Sequence, residues 1–82
     1  MPGPLTEITA ILRYILRDTD IEPTPRTRFD DLSAWDSMDL VSVVVEAECR
    51  FDIQFEVAEI DRLVTVGDLA GMIAAKQALA AS

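Results

Sequence analysis

The 82-residue chain predicts an all-α fold: a small bundle of three main helices plus one short helix, with a long first loop. Three observations support this. Apolar residues recur at three- and four-residue spacing in separate segments, the period of a helix face. Pro23 and Pro25, among Asp, Thr and Ser, interrupt that pattern for some eighteen residues. In the valine-rich middle of the chain, the polar residues Asp39, Ser42, Glu46 and Arg50 follow one another at three, four and four, which no strand face can do.

The elements follow in order. Residues 5–17, LTEITAILRYILR, place Leu5, Ile8, Leu12 and Ile15 on one stripe, widened by Ile11 and Leu16, with Arg13 and Arg17 outside it. The connection over residues 18–35 is long for a small domain, and such loops are functional or disordered. Phe29, Leu32 and Trp35 are apolar anchors that predict an ordered loop with one short helical turn. Residues 37–51, SMDLVSVVVEAECRF, carry strand-favouring valines. The polar spacing nevertheless predicts a helix with Met38, Val41, Val44, Val45 and Phe51 on its apolar side. Glu48 conflicts with that side, as a semi-buried carboxylate or a helix-edge residue. Cys49 reads as a small packing residue. An extended link with Ile53 and Phe55 leads to a short helix near 57–62, whose apolar positions are Val57, Ile60 and Leu63. Thr65 reads as the N-cap of a last helix over 66–79, with Asp68 completing a capping box and residues 78–82 fraying. The whole, residues 1–82, reads as one domain.

Composition narrows the function. Half the residues are apolar, so this is not a disordered acidic tail. A domain of this size buries only about 60% of its unfolded surface, leaving little room for a deep enclosed pocket. The net charge is −8, and it is unevenly placed. Residues 1–35 hold six acids and four bases, residues 36–62 eight and two, and residues 63–82 one of each. Nucleic acid is disfavoured as a partner, because it is held through lysine and arginine. The acidic middle instead steers basic patches on other proteins toward itself. There is no histidine, which excludes Ser–His and Cys–His couples and an ordinary zinc site. The lone cysteine makes no internal disulfide. The start MPGPLTEI lacks the basic and apolar regions of a signal peptide, and no apolar stretch approaches the ~20 residues of a membrane span. The expectation is a soluble cytoplasmic protein, with no membrane insertion.

Asp36 and Ser37 stand where the second helix begins. As helix caps they would contribute about 1 kcal/mol, and that is the ordinary use of such a pair. A nucleophilic serine needs a base and oxyanion donors, and only carboxylates lie near this one. A hydroxyl at a helix N-terminus does, however, suit an attached phosphate, because free backbone N–H groups and the helix dipole favour an anion there. Ser37 therefore reads as a substrate for another enzyme.

Here the chain resembles the acyl carrier protein family, over residues 5–75. WDSMDLVSVVVEAECRFDIQF looks like the family's attachment motif and second helix, FDDLSAWDS like its long first loop, and TVGDLAGMI like the opening of its last helix. The spacings from Ser37 to Glu48, Phe51 and Val66 match without a gap. The resemblance implies an acyl-carrier-like bundle in which Ser37 holds 4′-phosphopantetheine, transferred from coenzyme A by a phosphopantetheinyl transferase. Its thiol would carry acyl intermediates as thioesters for fatty acid, polyketide or related specialised biosynthesis, and the protein itself would not be an enzyme. Partners would be a loading ligase and downstream synthases or transferases with basic patches. They would meet Asp36, Asp39, Glu46 and Glu59, with apolar contact from Met38 and Val41. Met38 stands where leucine is usual, Trp35 where glycine is frequent, Arg50 where fatty-acid carriers are acidic, and Ala47 where a larger apolar residue is common. The Met38 exchange leaves attachment intact, whereas Arg50 and Ala47 weaken the resemblance to a housekeeping fatty acid carrier. With a chain that opens on methionine, the expectation is a specialised, stand-alone carrier and a monomer, a domain excised from a multidomain synthase being the other origin. Three alternatives remain at this level: an aminoacyl or peptidyl carrier, an unmodified acidic interaction module, and an enzyme using Glu48 or the Asp36–Asp39 pair.

Overall fold

A computed structural model describes residues 3–33 and 35–81, and the described residues bear out the all-helical prediction. Helix α1 spans Pro4–Leu16, α2 Ser37–Phe51, α3 Val57–Ile60 and α4 Val66–Ala81. Pro4 opens α1, where a missing N–H costs nothing. Arg17, in the left-handed region at φ 54°, closes it. α3 ends two residues before its predicted limit. α4 continues past 79 to Ala81, and Ser82 lies outside the described residues.

α1 packs against both α2 and α4. The core draws Ile8, Ile11 and Leu12 from α1, Val43, Val44 and Ala47 from α2, and Val66, Leu69 and Ile73 from α4, with Phe29, Ile53 and Leu63 from the connections. This corrects the expected apolar face of α2. Val44 is buried and Phe51 half-buried, but Met38, Val41 and Val45 point to solvent. Apolar residues occupy so much of that helix's circumference that the packing partners, not the local pattern, choose the buried arc. Cys49 is likewise exposed rather than a packing residue, because it lies on the arc opposite Val43 and Ala47. Val57 is also exposed. The Glu48 conflict has a physical resolution: its Oε2 accepts the Phe55 N–H at 2.8 Å, tying the extended link back to α2.

In its described residues the first loop is folded back onto the core, as its anchors predict. Phe29–Asp31 form a 3₁₀ turn, and the Phe29 ring stacks on Trp35 with centroids 5.2 Å apart. Arg13 Nε donates to the Ile21 carbonyl at 2.9 Å. Farther along, the loop is fastened to the start of α4. Val66 N–H donates to Thr27 O at 2.8 Å, Gly67 N–H to Pro25 O at 2.9 Å, and Phe29 N–H to Val64 O at 3.0 Å. A Cβ on Gly67 would lie 2.6 Å from that Pro25 oxygen. Gly67→Ala is therefore expected to separate loop from helix, with a loss of about 1–3 kcal/mol measured by urea unfolding.

Thr65 and Asp68 cap α4 reciprocally. Thr65 Oγ1 accepts from Asp68 N–H at 3.1 Å, and Asp68 Oδ2 accepts from Thr65 N–H at 3.0 Å and Val64 N–H at 3.1 Å. Those backbone donors, Thr65 first, hold the Asp68 carboxyl below its ordinary 3.8. A carboxyl depressed on folding stabilises above its unfolded pKa, and that contribution is lost as pH falls through the folded value. Thermal melts of the wild type should therefore weaken below about pH 4. Asp68→Asn should lower the melting temperature near neutrality and give a shallower acid limb, and equal acid slopes for the two proteins would count against this role.

Candidate functional site

The site is the junction of the first loop and α2. Asp36, extended at φ −124° and ψ 152°, is the N-cap, and its Oδ1 accepts Met38 N–H at 3.2 Å. Asp39 answers from the first turn, with Oδ2 accepting Asp36 N–H at 2.8 Å. The two carboxylates that flank the serine thus brace the helix start, and both also favour its positive dipole end. Ser37 is the first helical residue rather than the cap. It is exposed, and its Oγ donates a long 3.3 Å bond to Asp36 Oδ1. Asp36 does the capping, so the Ser37 hydroxyl is not needed for it. Upstream, the half-buried Trp35 is held by the Phe29 ring and by its N–H on Leu32 O at 3.2 Å, so the approach to the serine is anchored in the core.

The other predicted site residues divide. Met38 is 68% exposed and Val41 48%, on the outer side of α2 close to Ser37. Glu46 pairs with Arg50 at 3.5 Å, and Arg50 also reaches Glu7 on α1 at 3.4 Å. Glu59 lies away on α3, where it accepts Glu56 N–H at 2.8 Å and Lys76 Nζ at 2.9 Å. The Glu56 backbone bond, then Lys76, hold its carboxyl below the ordinary range. Asp36, Asp39, Met38 and Val41 are therefore gathered around Ser37, while Glu46 and Glu59 have cations of their own.

Sequence reasoning missed Tyr14, Arg17 and Val45. With Ile15, Val41, Ser42, Asp39 and Glu46 they line an open groove of about 560 Å³ between the end of α1 and the outer side of α2. The available signal was the four-residue step from Ser37 to Val41 to Val45.

Residues 6–73 match the sequence family described as the phosphopantetheine attachment site. The chain belongs to the acyl carrier protein family. It is 49% identical over 66 residues to the acyl carrier protein of Streptococcus pyogenes serotype M1, covering 80% of this chain and 84% of that one. With the acyl carrier protein of Streptococcus pneumoniae serotype 4 it shares 54% over 52 residues, covering 63% and 66%. The solution structure of holo acyl carrier protein from Geobacter metallireducens superposes with a TM-score of 0.86 at 35% identity, covering 98% of this chain and 91% of that one. As an acyl carrier protein the chain carries phosphopantetheine and is not an enzyme. Its residues fit that group: the helix start offers an exposed hydroxyl that the cap does not use. Among the described residues, no helix is long and apolar enough to cross a membrane, and no cluster of His, Cys, Asp and Glu could hold a metal ion.

Proposed function

We infer that Ser37 is the attachment residue, and that this monomeric acyl carrier protein presents acyl thioesters to enzymes of a specialised biosynthesis, fatty acyl or polyketide in kind. The observation that carries the assignment is the division of labour at the start of α2, where Asp36 caps the helix and leaves the neighbouring hydroxyl exposed. In the transfer, the Ser37 oxygen bonds to the phosphorus of coenzyme A that carries pantetheine. The bond from that phosphorus to the adenosine bisphosphate breaks, and the hydroxyl proton passes to a base on the transferase. Once bound, the arm supplies a thiol that holds the cargo. The chain's own contribution is positional: a helix dipole that tolerates the phosphodiester and a stacked loop that keeps the serine outward. A specialised role is supported by Arg50, whose guanidinium ties α2 to Glu7 and neutralises Glu46 where fatty-acid carriers are acidic.

Incubation with coenzyme A, Mg²⁺ and a broad-specificity phosphopantetheinyl transferase should add one phosphopantetheine mass, on the peptide that contains Ser37. No added mass, or mass on another peptide, would overturn the assignment. Partners are expected to read Asp36 and Asp39 through basic patches, so affinity for a cognate enzyme should fall as salt rises from low to physiological strength. Salt-independent binding would shift recognition to the apolar residues Met38 and Val41.

A further inference from the structure

Four-residue steps along a helix form an inclined row of neighbouring side chains. On α2, one such row begins at Ser37 and continues through Val41 to Val45, winding from the attachment point across the exposed side toward α1. Val41 is 48% exposed and Val45 50%, and across the groove Tyr14 is 69% exposed. Three large apolar side chains therefore stand unburied around one groove of about 560 Å³ that starts a single turn from the serine. The rest of its lining is Ile15 and four polar groups: the Ser42 hydroxyl, the Asp39 and Glu46 carboxylates, and the Arg17 guanidinium.

We propose that this groove between α1 and α2 is the resting site of the carrier's own pantetheine arm, along the row Ser37–Val41–Val45. The inference rests on attachment at Ser37. The arm alternates apolar carbon, including a geminal dimethyl group, with two amides, and the groove offers valine and tyrosine faces beside hydrogen-bonding groups of both kinds. The lengths agree. The thirteen atoms beyond phosphorus equal about four peptide residues, some 14 Å extended. From residue 37 to 45 the helix rises about 12 Å. The thiol and the first carbons of a cargo thus come to the level of Val45. An arm seated here covers the apolar surface beside Ser37, so a docking enzyme must displace it to reach the thiol.

The test is NMR on isotope-labelled protein whose mass shows that the arm is attached, compared with the unmodified form. The Val41, Val45 and Ile15 methyls and the Tyr14 ring should shift, with cross-relaxation contacts to the arm's geminal methyls. In Val45→Asp and in Tyr14→Ala, again on molecules carrying the arm mass, those contacts should be lost. Shifts confined to residues 36–40, or contacts running instead to Ile60 and Leu63, would overturn the groove while leaving attachment intact. A protein that never gains the mass would remove the attachment and the groove's occupant together.

Discussion

Ser37→Ala is expected to take up no phosphopantetheine and yet to melt within a few degrees of the wild type. The two halves of that result come from different parts of the geometry. The loss is chemical, because alanine has no oxygen to bond to phosphorus. The retained stability is structural, because the Ser37 side chain is exposed and makes only the long contact to Asp36. Alanine is also a better residue than serine within a helix. The change in stability should therefore stay within about 0.5 kcal/mol. Were Ser37 the cap, its removal would cost about 1 kcal/mol, as Asp36→Ala is expected to do. Mass spectrometry after incubation with transferase, paired with a thermal melt, reads both quantities. An alanine variant that still gained the arm would end the assignment. One that gained nothing but melted far lower would show that the serine has a structural role as well.

Phe29→Ala is expected to be the most damaging single truncation near the site. The ring is only 3% exposed, stacks on Trp35, and joins the main core from within the first loop. Removing such a ring costs about 3–5 kcal/mol. At roughly 0.05–0.15 kcal/mol per residue, an 82-residue domain has only about 4–12 kcal/mol in total. One kcal/mol shifts the midpoint of a domain this size by about 4–8 °C, so the melting temperature should fall by at least about 12 °C. Phe29→Leu retains more of the volume and should recover most of the loss. Val57→Ala, at an exposed position, is the matched control and should change stability by no more than about 0.5 kcal/mol. If Phe29→Ala melted like that control, the loop would not be anchored through this ring.

Much of this molecule is written locally. The stripe of α1 could be read because Leu5, Ile8, Leu12 and Ile15 recur at helical spacing, and Ile8, Ile11 and Leu12 at its centre are fully buried. The α4 cap was legible because Thr65 and Asp68 satisfy each other within four residues. The place of Ser37 at the start of α2 was legible for a similar reason, since a helix start needs only its own cap and first turn. These features involve contacts between near neighbours in the chain, which residue order alone specifies.

What tertiary structure decided involves partners distant in sequence. The buried arc of α2 is Val43, Val44 and Ala47 because α1 packs against that helix and these residues join the common core, and that choice turned Met38, Val41, Val45 and Cys49 outward. Glu59 acquired Lys76 as a partner across seventeen residues, and Arg50, a helix neighbour of Glu46, was drawn as well to Glu7 on α1, forty-three residues away. Glu48 became an acceptor for a backbone N–H seven residues on. Residue order sets which side chains can share a helix face. Only the packed bundle determines which face loses water, because that depends on what the other helices bring to it.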